Sequence, residues 1–178
     1  MALQTSIGQF EWGTQGARAS GDAVNGEGMC RVKDTAFEGR FVFWGADATD
    51  RQDKTVTGTG HQGSVVAGFA ERWLARPKFD PTTEASLSVS KGELIHAQTT
   101  GAFFALTESA DTKAGMKVYA RISDGAILAA AAGGASPAGS VATGFYVETV
   151  EPVSMNASGE VPAGSLVKIS SYIEGGAK

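Results

Sequence analysis

The sequence is short of the residues on which most catalytic and metal chemistry depends. It has one cysteine, Cys30, and two histidines, His61 and His96. A single cysteine makes no internal disulfide, so the fold must rest on packing and hydrogen bonding, as suits synthesis in a reducing compartment. The histidines stand 35 residues apart and do not compose a metal-ligand set with nearby Cys, Asp or Glu. No G-x-S-x-G nucleophile elbow occurs. Basic charge is also scarce: 15 Lys and Arg against 19 Asp and Glu give a net charge of -4 and a pI near 5.2. That balance lacks the footprint of a nucleic-acid binder or a membrane-surface helix, and no partner of either kind is expected. No long hydrophobic run is present, since the stretch from Ala126 to Ser140 is broken by glycines and Pro137. Met1 to Phe10 carries neither a basic n-region nor an apolar h-region, so a soluble, unprocessed chain is the expectation.

What is abundant is glycine, 24 of 178 residues, about twice the usual ~7%. With 42% hydrophobic residues the chain has material for a core, and with so much glycine it must turn often. Its length fits one domain. From Phe10 to about Lys33, isolated apolar residues (Trp12, Val24, Met29, Val32) sit among Gly, Ala, Ser, Asn, Gln and Arg without a helical or strand period. Residues 1–33 therefore read as an extended N-terminal arm, and residues 34–178 as a β-rich domain.

In that second part, apolar runs of strand length alternate with turn residues. They are residues 40–44, 64–70, 85–89, 93–97, 101–106, 116–122, 141–147 and 165–169. Ala85, Leu87 and Val89 alternate with serines, which gives a strand with one polar face; Lys91-Gly92 and Asp124-Gly125 supply turns. A short helix is expected around Ala67 to Ala75, and Pro77 and Pro81 make the next piece a loop. The fold class is all-β: a small barrel or sandwich of short antiparallel strands, carrying the arm. An Ala-Gly pair recurs at 114, 138 and 163, each time a few residues before an apolar run. Each pair reads as a tight turn that sets the direction of the next strand, with glycine taking a positive φ.

Motifs that could carry chemistry each have a plainer reading. Gly58-Thr-Gly60-His-Gln-Gly63 matches G-x-G-x-x-G, but a dinucleotide site needs a buried strand before it and a βαβ unit after it, and neither is present. It reads as a surface loop. Asp47, Asp50 and Asp53 do not have EF-hand spacing and read as a solvated charged loop. Cys30 reads as a buried thiol, and Asn156-Ala-Ser158 as a sequon without expected modification. No cofactor is expected. The aromatics say more. Phe10 and Trp12 cannot bury themselves within a glycine-rich arm, so they dock either on the chain's own barrel or on a neighbouring subunit. Trp73, flanked by Arg72 and Arg76, is a further interface candidate by composition, with Arg76 beside it.

The order of pieces resembles the structural cement, or head decoration, proteins of tailed bacteriophages. The resemblance is carried by Glu38-Gly-Arg-Phe-Val-Phe-Trp-Gly45, Gly63-Ser-Val-Val-Ala-Gly-Phe-Ala70, Leu87-Ser-Val-Ser-Lys-Gly-Glu-Leu-Ile95, Lys113-Ala-Gly-Met-Lys-Val-Tyr119 and Ala163-Gly-Ser-Leu-Val-Lys-Ile169. It runs from about residue 15 to about residue 172 and consists of turn-and-strand signatures. It implies a β-rich protein with no enzymatic role, made in the bacterial host cytoplasm and bound to the outside of the mature capsid. Its partners would be the major capsid protein, whose subunits it bridges, and itself as a homodimer or homotrimer. Other classes remain open: a phage tail or fibre component, a small-ligand-binding β-barrel, or a hydrolase using His61 or His96 beside a nucleophile.

Overall fold

A computed structural model describes residues 13–19, 24–72 and 87–172. Among these the chain is almost entirely β, as expected. Five strands close a barrel in the order β1 (Gly26–Val32), β4 (Thr55–Thr57), β3 (Phe41–Trp44), β5 (Val66–Glu71) and β7 (Leu94–Gln98). A second sheet runs β10 (Ile127–Ala130), β9 (Lys117–Arg121), β11 (Ser140–Val150), β12 (Leu166–Ser170) and β8 (Ala102–Leu106). A ribbon of β2 (Thr35–Phe37) and β6 (Ser88–Ser90) completes the sheets. Pairings between these strands are antiparallel except β1 with β4, where Arg31 and Val32 lie parallel to Thr55 and Val56; outside them, Thr107 bridges Ile127 in parallel.

Strand β3 explains how the two sheets join. Its four residues are apolar and buried, because the strand is covered on both sides. Val42 and Trp44 point into the barrel, with Cys30, Val32, Val56, Ile95 and Ala97. Phe41 and Phe43 point the other way, into a core shared with Phe103, Phe145, Val167 and Ile169 of the second sheet. In that seam Phe41 meets the edges of Phe69 and Phe145 at 5.4 and 5.5 Å between centroids, and Phe69 stacks on Phe103 at 4.9 Å. Opposite β3, a bulge in β5 pairs Val42 with Gly68 but Phe43 with Val66. The extra residue, Ala67, turns into the barrel, while Val66 and Phe69 both stay on the seam side.

The three Ala-Gly pairs behave as expected. Gly115, Gly139 and Gly164 have φ of 85, 66 and 85°, and each turn leads into a strand: β9, β11 and β12, which are neighbours in the second sheet. The Asp124-Gly125 turn joins β9 to β10 and also touches the barrel. Gly125 accepts the amide of Phe41 at 2.9 Å, and a Cβ there would lie 1.9 Å from the Phe41 carbonyl oxygen.

Three expectations are corrected. Residues 67–71 of the expected helix belong to β5, held between β3 and β7 by ladder bonds on both sides. The charged loop after Trp44 contains a short helix, α1 (Ala48–Gln52), closed by reciprocal bonds between Asp47 and Asp50. Finally, Gly26–Val32, placed with the arm by its sequence, is a barrel strand. Only its Cys30 and Val32 are buried, so its apolar alternation is too short to read against the glycine and charge around it.

Candidate functional site

The four contact candidates named from sequence, Phe10, Trp12, Trp73 and Arg76, lie outside the described residues. The segment that follows Trp12 is described, and it lies on the chain's own domain. Gly16 donates its amide to Phe104 at 2.8 Å, Ala17 accepts from Phe104 at 2.9 Å, and Ala19 donates to Ala102 at 2.8 Å, so residues 16–19 add a short strand beside β8. The same segment reaches the barrel: Arg72 donates its amide to Gly16 at 2.8 Å, and Arg18 pairs with Glu71 at 3.0 Å.

Among the described residues the large exposed apolar side chains are Val65 before β5, Tyr172 after β12, and others on the barrel and on the second sheet. On the barrel they are Met29 and Leu94, on the outward face of the β1–β7 ladder. On the second sheet they are Leu106 at the end of β8 and Val153 and Met155 in and after a 3₁₀ turn at Pro152–Ser154; Val153 is 84% exposed. Beside that turn an open groove of about 640 Å³ is lined by Ala19, Phe104, Thr149, Val150, Pro152 and Met155, with Lys168. The amine of Lys168 is paired with Glu148 at 2.6 Å, so the groove is mostly apolar and carries no uncompensated charge on its floor. These residues were not legible as a site, because they come from stretches far apart in sequence that only the pairing of β8, β11 and β12 brings together.

The chemically suggestive motifs are absorbed into structure. Asp34 takes four hydrogen bonds: from the hydroxyls of Thr57 at 2.6 Å and Thr59 at 2.9 Å, and from the amides of Thr35 at 2.7 Å and Gly58 at 3.3 Å. Burial alone would raise its pKa, but these donors hold it below the usual carboxylate value. In the glycine-rich loop the Gly58 amide is shared between Asp34 and the Thr35 carbonyl, at 3.2 Å from the latter, and the Gly60 amide donates to Ile122 at 2.7 Å. Asp47 and Asp50 both bond the Lys33 amine, at 2.9 and 2.8 Å, which lowers the Asp50 pKa and raises that of Lys33. No group of three or more His, Cys, Asp or Glu suited to a metal occurs among the described residues. Cys30 is buried, and desolvation, then the nearby Glu27 carboxylate, pushes its thiol up to about 11.

One pair does set a histidine against a nucleophile. Ser64 Oγ lies 2.9 Å from His61 Nδ1 and also accepts the His61 amide at 2.7 Å. Both contacts belong to one turn, closed by the Ser64 amide on the His61 carbonyl at 2.9 Å, and no carboxylate among the described residues bonds the imidazole. Among the described residues the pair therefore has no third group to orient a catalytic base.

Where the barrel meets the second sheet, charge forms a closed ring. Arg40 bonds Asp124 at 2.7 Å and Glu108 at 3.5 Å; Arg121 bonds Glu108 at 2.6 Å and also Asp124. Burial works against the Asp124 carboxylate, but the Arg121 hydrogen bond, the Ala126 amide and both arginine charges lower its pKa on balance. Two cations and two anions balance, so the ring fastens the two sheets and presents no net charge to a ligand.

Comparison with known proteins gives these features a context. The model of the XM1 gp53 minor capsid protein family matches residues 9–171. The fold is similar to a chain in a solved structure described as the capsid of Myoviridae phage XM1, with a TM-score of 0.60 and 14% identity, over 96% of this chain and 98% of that one. No curated protein matches. The chain belongs to the XM1 gp53 minor capsid protein family and is a structural component of a phage capsid.

Proposed function

We propose that this minor capsid protein acts as a structural cement: it sits on the outer surface of the mature head, bridges neighbouring major capsid protein subunits, and does so as a homodimer or homotrimer after synthesis in the host cytoplasm. The observation that carries the reading is the presence of two exposed apolar surfaces on one body. Met29 and Leu94 lie on the barrel, Leu106 and Val153 on the second sheet, and the phenylalanine seam holds the two sheets together. A bridge needs two contact faces that cannot move independently. Sequence adds Trp73 and Arg76, residue types that anchor interfaces. Asp34, the Lys33–Asp50 pair and the Arg40–Asp124–Arg121–Glu108 ring are bonded internally, which suits a role in which binding is the whole task. Such a protein stabilises by linkage, since a ligand that binds only the finished lattice adds RT ln(1 + [L]/Kd) at each occupied site. Engaging two subunits at once raises the effective concentration of the second contact.

The test is to add the purified chain to heads of its own phage that lack it, and to record head melting and co-sedimentation. Co-sedimentation with heads and a higher head melting temperature are expected, and Trp73→Ala should lower occupancy while leaving the isolated chain's own melting nearly unchanged. Heads that melt at one temperature with and without the protein, or a chain that is found only with tails, would overturn the reading.

A further inference from the structure

We propose that the pocket between the end of β3 and α1 is an arginine anchor for a carboxylate, the side chain of a Glu or Asp in an otherwise apolar loop of a neighbouring capsid subunit. The inference rests on the cement reading and names the chemistry of its partner. The pocket holds about 380 Å³ and is lined by Trp44, Asp47, Arg51, His61, Ser64 and Val65. The chain brings these residues together in a simple way. Trp44 is the last residue of β3, α1 begins at Ala48, and the Val65 carbonyl accepts the Trp44 amide at 3.0 Å, which sets the start of β5 beside them.

Arg51 stands apart from the other cations. Arg18, Lys33, Arg40, Lys113, Arg121 and Lys168 each pair with a carboxylate. An acid four residues earlier is the usual partner for an arginine on a helix, and Asp47 stands there, but its carboxylate bonds Lys33 at 2.9 Å. The Arg51 guanidinium makes no ion pair or hydrogen bond among the described residues and lies instead over the Trp44 ring, 5.5 Å from its centroid. The ring engages its charge and not its N–H groups, so the fork that matches a carboxylate is unspent. His61 adds a second donor. Ser64 is buried, and its hydroxyl oxygen takes the His61 amide, so among the described residues its proton has one acceptor, His61 Nδ1 at 2.9 Å. The Nε2 of that ring therefore keeps its N–H.

A carboxylate on a peptide suits this set better than a phosphate. Lys33 answers two carboxylates, Asp47 and Asp50, so even with Arg51 the neighbourhood has no surplus of positive charge to hold a dianion. A monoanion needs only the guanidinium. Val65 lines the pocket and is 55% exposed, and with Trp44 it offers apolar contact that a peptide uses and an inorganic anion does not. Tryptophan and arginine are also the residues on which interface affinity concentrates.

The experiment measures binding of the full-length chain to heads of its own phage that lack it and have been emptied of DNA, with Arg51→Lys, Arg51→Gln and Arg51→Glu variants in parallel. Arg51 is exposed, so each variant should melt as the parent does. Affinity is expected to fall in that order, roughly tenfold for Arg51→Gln and roughly tenfold further for Arg51→Glu, where carboxylate would meet carboxylate. Should these variants lower the melting temperature of the isolated chain, Val65→Ser decides, because it changes the pocket wall and leaves α1 and Trp44 in place; it should also weaken binding. Parent-level binding by Arg51→Gln, or by Val65→Ser in its stead, overturns the proposal. Equal binding by Arg51→Gln and Arg51→Glu does so too, since no anion then faces the pocket. In each of those cases a parent chain that binds and raises the head melting temperature leaves the cement reading standing. A parent chain that does not bind heads overturns both.

Discussion

The barrel and the seam beside it share two strands and are filled by opposite means. Inside the barrel the residues are mostly small: Cys30, Ala67, Ala70 and Ala97 with a few valines, Ile95 and the single large Trp44. In the seam the volume is phenylalanine, with Phe41, Phe43, Phe69, Phe103 and Phe145 in one cluster. The reason is geometric. Barrel diameter grows with strand number and eight strands leave room just for side chains, so five strands leave room only for small ones. Two sheets facing each other leave about 10 Å, which aromatic rings fill. Strand β3 serves both, sending valine and tryptophan one way and phenylalanine the other. The lesson is that one stretch of sequence can meet two packing standards at once: a narrow space that punishes excess and a wide one that punishes loss.

That contrast can be broken by substitution. Phe69→Ala should cost the most, roughly 3–5 kcal/mol, because it removes a ring that touches two others in the seam. Ala97→Leu, a gain in bulk inside the barrel, should cost roughly 1–3 kcal/mol by overpacking. Urea denaturation midpoints at unchanged m-values measure both. An Ala97→Leu protein as stable as the parent would show that the barrel interior is not full, and the contrast would fail.

The ion-pair ring sharpens the comparison, since it bridges barrel to second sheet and leaves the barrel's own closure untouched. The Asp124 pKa is lowered in the folded chain, so its contribution is fully present above the unfolded carboxylate value, about 3.9, and is lost as pH falls through the folded value. Side chains in the ring are about a quarter to a third exposed, which screens the pairs and limits the expected loss to about 1 kcal/mol. Asp124→Asn should flatten the acid limb of a stability–pH curve. Hydrogen exchange in acid should rise first at β9 and β10, with β1 and β7 following later. Simultaneous loss of protection in both regions would mean that the ring is not what separates their stabilities.

The smallest effect concerns the thiol inside the barrel. With its pKa pushed up to about 11 by burial and by Glu27, Cys30 stays protonated at pH 8 and should not react with a disulfide reagent until urea opens the barrel. Fast labelling in the native state would show a barrel that breathes.

Much of this architecture was legible because strands covered on both faces announce themselves. Residues 41–44 and 102–105 are unbroken apolar runs, and the Ala-Gly pairs before β9, β11 and β12 marked turns whose glycines do take positive φ. Strand β1 was hidden because its ladder partners supply the apolar surface and its own residues are mostly exposed. The five-residue α1 left only the Asp47 to Asp50 spacing as a signal, too brief for periodicity to register. Residues 67–71 could be read as helical because Ala and Phe suit either state; the neighbouring strands β3 and β7 decided the matter. For the functional surface the gap was wider. Sequence reasoning singled out Phe10, Trp12, Trp73 and Arg76, whereas the exposed apolar side chains of the described residues include Met, Leu and Val from separate strands and from the 3₁₀ turn.

The short strand at residues 16–19 has a consequence for crowding. It occupies the hydrogen-bonding edge of β8, and at the opposite margin of the same sheet the Glu108 amide caps the Ile127 carbonyl at 2.8 Å while the Ser109 hydroxyl takes the Ala129 amide at 2.9 Å. Bare margins in a β protein template the addition of further chains, edge to edge, into fibres. A virion component spends its life pressed against other protein, and here both margins of the second sheet are already spoken for. Neighbours can therefore recognise it through its side chains, and they find little free backbone to polymerise on.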